Sequence, residues 1–273
     1  MPHISHWELS NWNACPFKHK LTHIDKVGNF KSNEYLAFGL AMHDTCEKLF
    51  SHRGQMQKNP GKGVGWVTPA TAGAFFADEF KTRINKIILS NQIEINKELV
   101  VNMFAEGKKI APLILDATVA EFGDFKFASP EEKFIESIDD NVYNYDFKGK
   151  MDLIIKTDKD AKYHIIDWKT TSWGWGARKK TDKMTTYQLT YYKHFFAKKH
   201  GIDPEKIETY FALLKRTAKK DNIEFVHVAN GERKTQNALD FVNNAITNIK
   251  SNVFVKNRLS CGRCEFNRTK FCP

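Results

Sequence analysis

Three side chains of this 273-residue chain have the types and spacing to do chemistry together: Asp152, Asp167 and Lys169. They lie in two apolar segments, GKMDLIIK (149–156) and KYHIIDWKTT (162–171). Each segment reads as a strand, and the polar break Thr157-Asp158-Lys159-Asp160 between them reads as a tight turn. A hairpin centred on Lys159 and Asp160 places Asp152 opposite Asp167, because both lie equally far from the turn. Lys169, two residues on, projects from the same face as Asp167. Like charges opposed across a sheet are unfavourable, and a divalent cation between them reverses that sign. Magnesium and manganese prefer carboxylate, carbonyl and water oxygens, so the backbone carbonyl of Trp168 is a third candidate ligand. Such an ion polarises a phosphoryl oxygen and lowers the pKa of a bound water. Lys169 supplies a compact charge beside it, suited to steadying the developing phosphorane or orienting the water. The chemistry expected is metal-dependent hydrolysis of a phosphodiester.

The elements that must position these groups follow from periodicity. A short helical segment is expected over 7–26 and a helix over 34–52, with Leu36, Leu40, His43 and Glu47 at helical spacing. Residues 54–69, rich in Gly, Pro and Lys, read as a loop, followed by helices over about 70–91 and 94–121. After Ser129-Pro130 the period changes to that of strands: 134–138, 143–147, 150–156 and 163–168. A helix over 183–199, a strand over 207–215, another over 222–229 and a helix over 232–252 complete the pattern. The class is α/β. A helical part (30–128) precedes a catalytic α/β core (129–230), all within one domain spanning 1–273.

Four segments in order resemble the PD-(D/E)XK nuclease superfamily, and within it the RecB-like branch. They are Phe38-Gly39-Leu40-Ala41-Met42-His43, Phe147-Lys148-Gly149-Lys150-Met151-Asp152, Ile165-Ile166-Asp167-Trp168-Lys169-Thr170 and Gln188-Leu189-Thr190-Tyr191-Tyr192. The resemblance implies a restriction-endonuclease-like mixed sheet flanked by helices. It implies His43 as a metal ligand from an N-terminal helix, Asp152 and Asp167 as holders of Mg²⁺ or Mn²⁺, and Lys169 as the catalytic amine. Gln188 and Tyr192, one helical turn apart, would face the site and orient Lys169 or the substrate strand. An acidic residue before the first strand often assists in this family; Glu131, Glu132 and Glu136 compete for that place.

Cys261 and Cys264 form a C-x2-C pair, with Cys272 eight residues further on. Cys15, next to Pro16, is a better fourth member than Cys46, which sits in an amphipathic helix. Together Cys15 and the 255–273 segment would staple the two ends of the chain. Four thiolates suit zinc or an iron–sulfur cluster, and spacing leaves both open. The resemblance points to the cluster: one distant N-terminal and three C-terminal cysteines are the arrangement of AddB-type subunits and CRISPR adaptation nucleases, whose centre is a structural [4Fe–4S].

The charge balance, 42 Lys+Arg against 32 Asp+Glu for a formal +10, suits a polyanionic partner such as DNA. Trp173 and Trp175, in a glycine-bearing loop after the Asp167 strand, could stack on unpaired bases, with Arg178, Lys179 and Lys180 on phosphates. Lys215-Arg216 and Lys219-Lys220 could line the same groove. No phosphate-cradling GxxxxGK[ST] loop is present, so a helicase or recombination partner would have to supply any unwinding. No apolar run is long enough for a membrane span, and no secretory layout opens the chain, so a cytoplasmic setting is expected. The sum is a DNA exonuclease acting at single-stranded or frayed ends. Its rivals are a non-cleaving nuclease-like subunit and a restriction-type endonuclease.

Overall fold

The computed structural model describes residues 1–28, 31–58, 67–90, 94–129 and 131–273. Strand β1 (His3–Ser5) runs into α1 (His6–Ala14), whose start is fixed by a capping box. Ser5 Oγ accepts from the Glu8 N–H at 3.3 Å, and Glu8 Oε2 accepts from the Ser5 N–H at 2.7 Å. Cys15 is extended and ends α1, and Pro16 opens the short α2 (Pro16–His19). The helices α3 (Glu34–Lys58), α4 (Pro69–Ser90), α5 (Lys97–Ile110) and α6 (Ile114–Phe122) follow. Next come β2 (Phe125–Ser129), β3 (Glu132–Ser137), β4 (Asp146–Met151), β5 (Leu153–Thr157) and β6 (Tyr163–Thr171). The remainder is α7 (Ala177–Lys180), α8 (Lys183–His200), β7 (Ile207–Lys215), β8 (Ile223–His227) and α9 (Glu232–Lys250).

The strands form two mixed sheets, one ordered β1-β4-β3 and one ordered β2-β5-β6-β7-β8. β6 and β7 are parallel and are joined through α8, while β5 and β8 flank them antiparallel. Alternation along β6 splits the core in two. Ile165 faces the side packed by α8 and α9, with Phe195, Val242 and Ile246; Ile166 and Trp168 face the side packed by α3 to α6, with Phe38, Phe50 and Phe76. This is the expected α/β class, with mixed sheets flanked by helices.

Several boundaries differ from expectation for local reasons. α3 continues to Lys58, past the predicted end at 52; the rest of the expected loop, 59–66, lies outside the described residues, as does Pro130. Pro112 breaks the single helix predicted over 94–121, because a proline lacks the N–H that a continuing helix requires. β2 lies past the helix expected over 94–121 and crosses the expected boundary between the helical part and the α/β core at 128–129, and β1 was not foreseen. The strand predicted over 150–156 is divided at Asp152, the point where the chain leaves one sheet for the other.

Candidate active site

The hairpin forms about the predicted centre. Leu153 pairs with Ile166 and Lys156 with Tyr163; the ladder ends there, and Asp152, next along the chain, is near enough to Asp167 for its charge to raise the Asp167 carboxyl. The turn is held by the Thr157 N–H donating to the Lys162 carbonyl at 3.0 Å, with Ala161 in the left-handed region at φ 54°. Asp152 sits in the bend between β4 and β5, so its side chain substitutes for the missing ladder: Oδ2 accepts from the Trp168 N–H at 3.0 Å. α3 brings His43 Nδ1 to 3.3 Å from the same oxygen. On the opposite carboxylate, Lys169 Nζ lies 2.5 Å from Asp167 Oδ2. α8 delivers Gln188, whose Nε2 donates to Asp167 Oδ1 at 2.8 Å and to the Tyr192 hydroxyl oxygen at 3.0 Å.

The structure therefore brings together five predicted side chains, His43, Asp152, Asp167, Lys169 and Gln188, with Tyr192 behind Gln188. Gly149 explains part of the arrangement. A Cβ there would lie 2.3 Å from the Phe134 ring and 3.1 Å from Tyr192, so the bare strand is what lets both rings pack beside the site.

Burial governs the electrostatics. Asp167 is only 2% exposed, and loss of water pushes its carboxyl up to about 6, against the pull of Lys169; the Asp152 charge adds to the rise. Burial disfavours the Asp152 anion too, yet His43, Lys169 and the Trp168 N–H together hold its pKa below the usual carboxylate range. His43 is raised, its burial outweighed by the two carboxylates. Tyr192 is driven upward by burial and remains a phenol.

These groups fit a hard divalent ion. Asp167 Oδ2 is buried with no partner but the Lys169 ammonium, and two facing carboxylates are an oxygen-only donor set. Magnesium is commonly bound through one or two carboxylates while keeping waters and taking substrate phosphates.

The sequence profile of the PD-(D/E)XK nuclease superfamily matches residues 3–273. The chain belongs to that superfamily. PD-(D/E)XK nucleases generally use divalent metal ions such as Mg²⁺. Among solved structures, a "putative exonuclease" from Eubacterium rectale is similar, at a TM-score of 0.55 and 16% identity, over 99% of this chain and 90% of that one. At that identity the likeness is one of fold. No curated protein matches the chain.

Elsewhere this PD-(D/E)XK protein departs from what its sequence suggested. Of the three glutamates, Glu131 is the one beside the site: it pairs with Lys150 and hydrogen-bonds Glu47 of α3, whose carboxyl is pushed up by burial and by Glu131. Glu132 instead ties β3 to the far end of α8 through Lys199 and His200. Glu47, one turn after His43, was not foreseen as a neighbour of the site; its helical spacing from His43 was the available signal.

The basic loop is largely engaged. Trp175 packs edge-on against Phe211 with Lys179 over its ring, and Lys180 pairs with Glu224, while Trp173 is 77% exposed and Arg178 is exposed. Arg216 is buried against Glu106 and Ser172.

No group of three or more His, Cys, Asp or Glu side chains arranged to hold a metal ion is present among the described residues, so the expected four-thiolate centre is not seen there. The chain ends do meet. Cys15 Sγ accepts from the Asn257 N–H at 3.3 Å, Cys261 Sγ lies 4.0 Å from the Asn257 carbonyl, and Asn257 Nδ2 donates to the Ala14 carbonyl at 2.8 Å. Cys264 and Cys272 are held by backbone turns to Cys261 and Thr269. No helix among the described residues is long and apolar enough to cross a membrane.

Proposed function

We propose that this nuclease is a Mg²⁺- or Mn²⁺-dependent deoxyribonuclease that trims DNA ends. The observation that carries the reading is the closeness of Asp152 and Asp167, the first held by His43 and the Trp168 N–H and the second paired with Lys169. Asp152 and Asp167 would hold the ion. The Trp168 carbonyl joins them, since the N–H and C=O of one strand residue point to the same side and its N–H meets Asp152. Bound there, the ion supplies Lewis acidity to the phosphoryl group and a more acidic water. His43 braces Asp152 and is within reach of the same ion. Gln188 fixes the rotamer of Asp167 and takes its own alignment from Tyr192. Lys169 holds the attacking water or a non-bridging phosphate oxygen. In the reaction a water oxygen bonds to phosphorus, one P–O ester bond breaks, and the departing oxygen takes a proton, with no covalent enzyme intermediate.

The name of the Eubacterium rectale neighbour, a "putative exonuclease", accords with end trimming. Linear and covalently closed circular DNA incubated with Mg²⁺ or Mn²⁺ test it. Loss of the linear form alone supports end trimming, cutting of the circle supports a restriction-type enzyme, and binding without cleavage supports a non-cleaving subunit. The RecB-like iron–sulfur branch is the finer assignment of the cysteine-bearing end, supported by the meeting of Cys15 and Cys261 at Asn257. Visible absorption with stoichiometric iron would uphold it; colourless protein with stoichiometric zinc, or no metal, would remove it. A helicase or recombination partner would open the duplex, since this sequence carries no GxxxxGK[ST] loop of its own.

A further inference from the structure

A cavity of ≈ 570 Å³ opens beside the carboxylate pair. Gln188 and Tyr192 form its inner end, which links it directly to Asp167. Trp7 of α1 stands at its wall, 59% exposed, with its ring edge-on to His23 at a centroid distance of 4.5 Å. Glu8, whose carboxylate is held by the Ser5 N–H and His23, lines the cavity, and so do Lys133 of β3, paired with Glu131 at 3.3 Å, and Lys148 of β4. Strand alternation puts them there: Phe147 and Met151 turn into the core, and the lysines turn outward. Lys148 is exposed, and no carboxylate pairs with it among the described residues.

The contact with His23 still leaves most of this indole in solvent. Beside the Lys148 ammonium, it makes the pairing of aromatic platform and basic track that unpaired nucleic acid recognises. The volume falls within the range of a small-molecule pocket, roughly 300–1,000 Å³, too narrow for a double helix.

We infer that this cavity seats a short unpaired stretch of DNA, with a base against Trp7 and phosphates along Lys148 and Lys133, leading the strand past Gln188 to Asp167. The identity of the occupant rests on the nuclease reading. The site itself is a strand seat formed by the N-terminal segment, separate from the tryptophan loop after β6.

Fluorescence anisotropy of labelled oligo(dT) in EDTA reads binding without hydrolysis. The wild-type chain should bind oligo(dT) more tightly than a blunt hairpin of equal length. Trp7→Ala should weaken oligo(dT) binding about 5- to 150-fold, the range for one lost base stack, and Trp7→Phe should recover most of it. Lys148→Ala should lower the slope of log affinity against log salt by about 0.7. Both side chains are exposed, and an unchanged circular dichroism melt confirms that each variant is folded. Equal binding of hairpin and oligo(dT), or wild-type affinity in both Trp7→Ala and Lys148→Ala, overturns the proposal. Asp167→Asn separates the two claims: it should bind oligo(dT) normally while failing to cleave, and undiminished cleavage by it would sink the nuclease reading without touching the anisotropy result.

Discussion

At the scale of single residues the site is a balance of buried charge. Asp167 has lost nearly all its water, and Lys169 alone does not restore an ordinary carboxylate. Gln188 occupies its second oxygen and leaves Oδ2 facing the amine. Gln188→Ala should therefore reduce cleavage about 10- to 100-fold, the usual cost of losing a group that orients a metal ligand, with steady-state kinetics at saturating Mg²⁺ as the readout. Lys169→Ala should cost about 10²- to 10³-fold or more in turnover, as expected for one preorganised electrostatic contact; a smaller loss would place the amine outside the chemistry. Gly149→Ala tests packing instead. Its Cβ would strike the Phe134 ring, so denaturant unfolding should show a loss of about 1–3 kcal/mol.

Among the elements, what could be read beforehand was what depends on short chain distances. The turn at 157–162 set the hairpin register, and the apolar run 207–215 appeared as β7 with the predicted ends. α8 was legible too, and with it the spacing of Gln188 and Tyr192. What depends on distant partners was not. β1 is three residues long and exists because it pairs in parallel with β4, far along the chain. The bend at Asp152 arises because β4 and β5 belong to different sheets, a fact absent from local composition. Glu47, in α3, and Glu131, just before β3, meet through space 84 positions apart by numbering, and no local pattern links them. The tail is likewise positioned by tertiary contacts, and Asn257 is its anchor. Asn257→Ala removes the side-chain bond to Ala14 and should lower stability by about 0.5–1.5 kcal/mol. Limited proteolysis should then cut after residue 250 sooner than in the wild type.

For the molecule as a whole, buried titratable groups set the pH response. Burial lowers His6 and His19 to about 4. Unfolded, they protonate near their ordinary value of about 6.5. Between those limits the unfolded chain binds more protons, so their contribution is present above about pH 6.5 and is lost as pH falls toward 4. Asp167 acts in the opposite sense. Its folded pKa near 6 exceeds the free value of about 3.9, so its stabilising contribution is present at low pH and is lost as pH rises through 6. His6 and His19, joined by His23, His164 and His194, which are lowered in the same sense, outweigh the raised Asp167 and His43 and give a net loss of melting temperature on acidification from pH 6.5 to pH 4.5 in metal-free protein. Asp167→Asn should make that fall steeper by removing an opposing group; an equal or shallower fall would contradict this assignment of the buried charges. The +10 formal charge adds a salt-dependent affinity for DNA that any variant at the site should retain.

The central claim is that one divalent ion is shared by the two facing aspartates. Anomalous diffraction from crystals grown with Mn²⁺ tests it most directly. A single strong peak within coordination distance of both Asp152 and Asp167, absent in Asp167→Asn crystals, is the predicted result. A peak bound elsewhere, or one touching neither carboxylate, would contradict it.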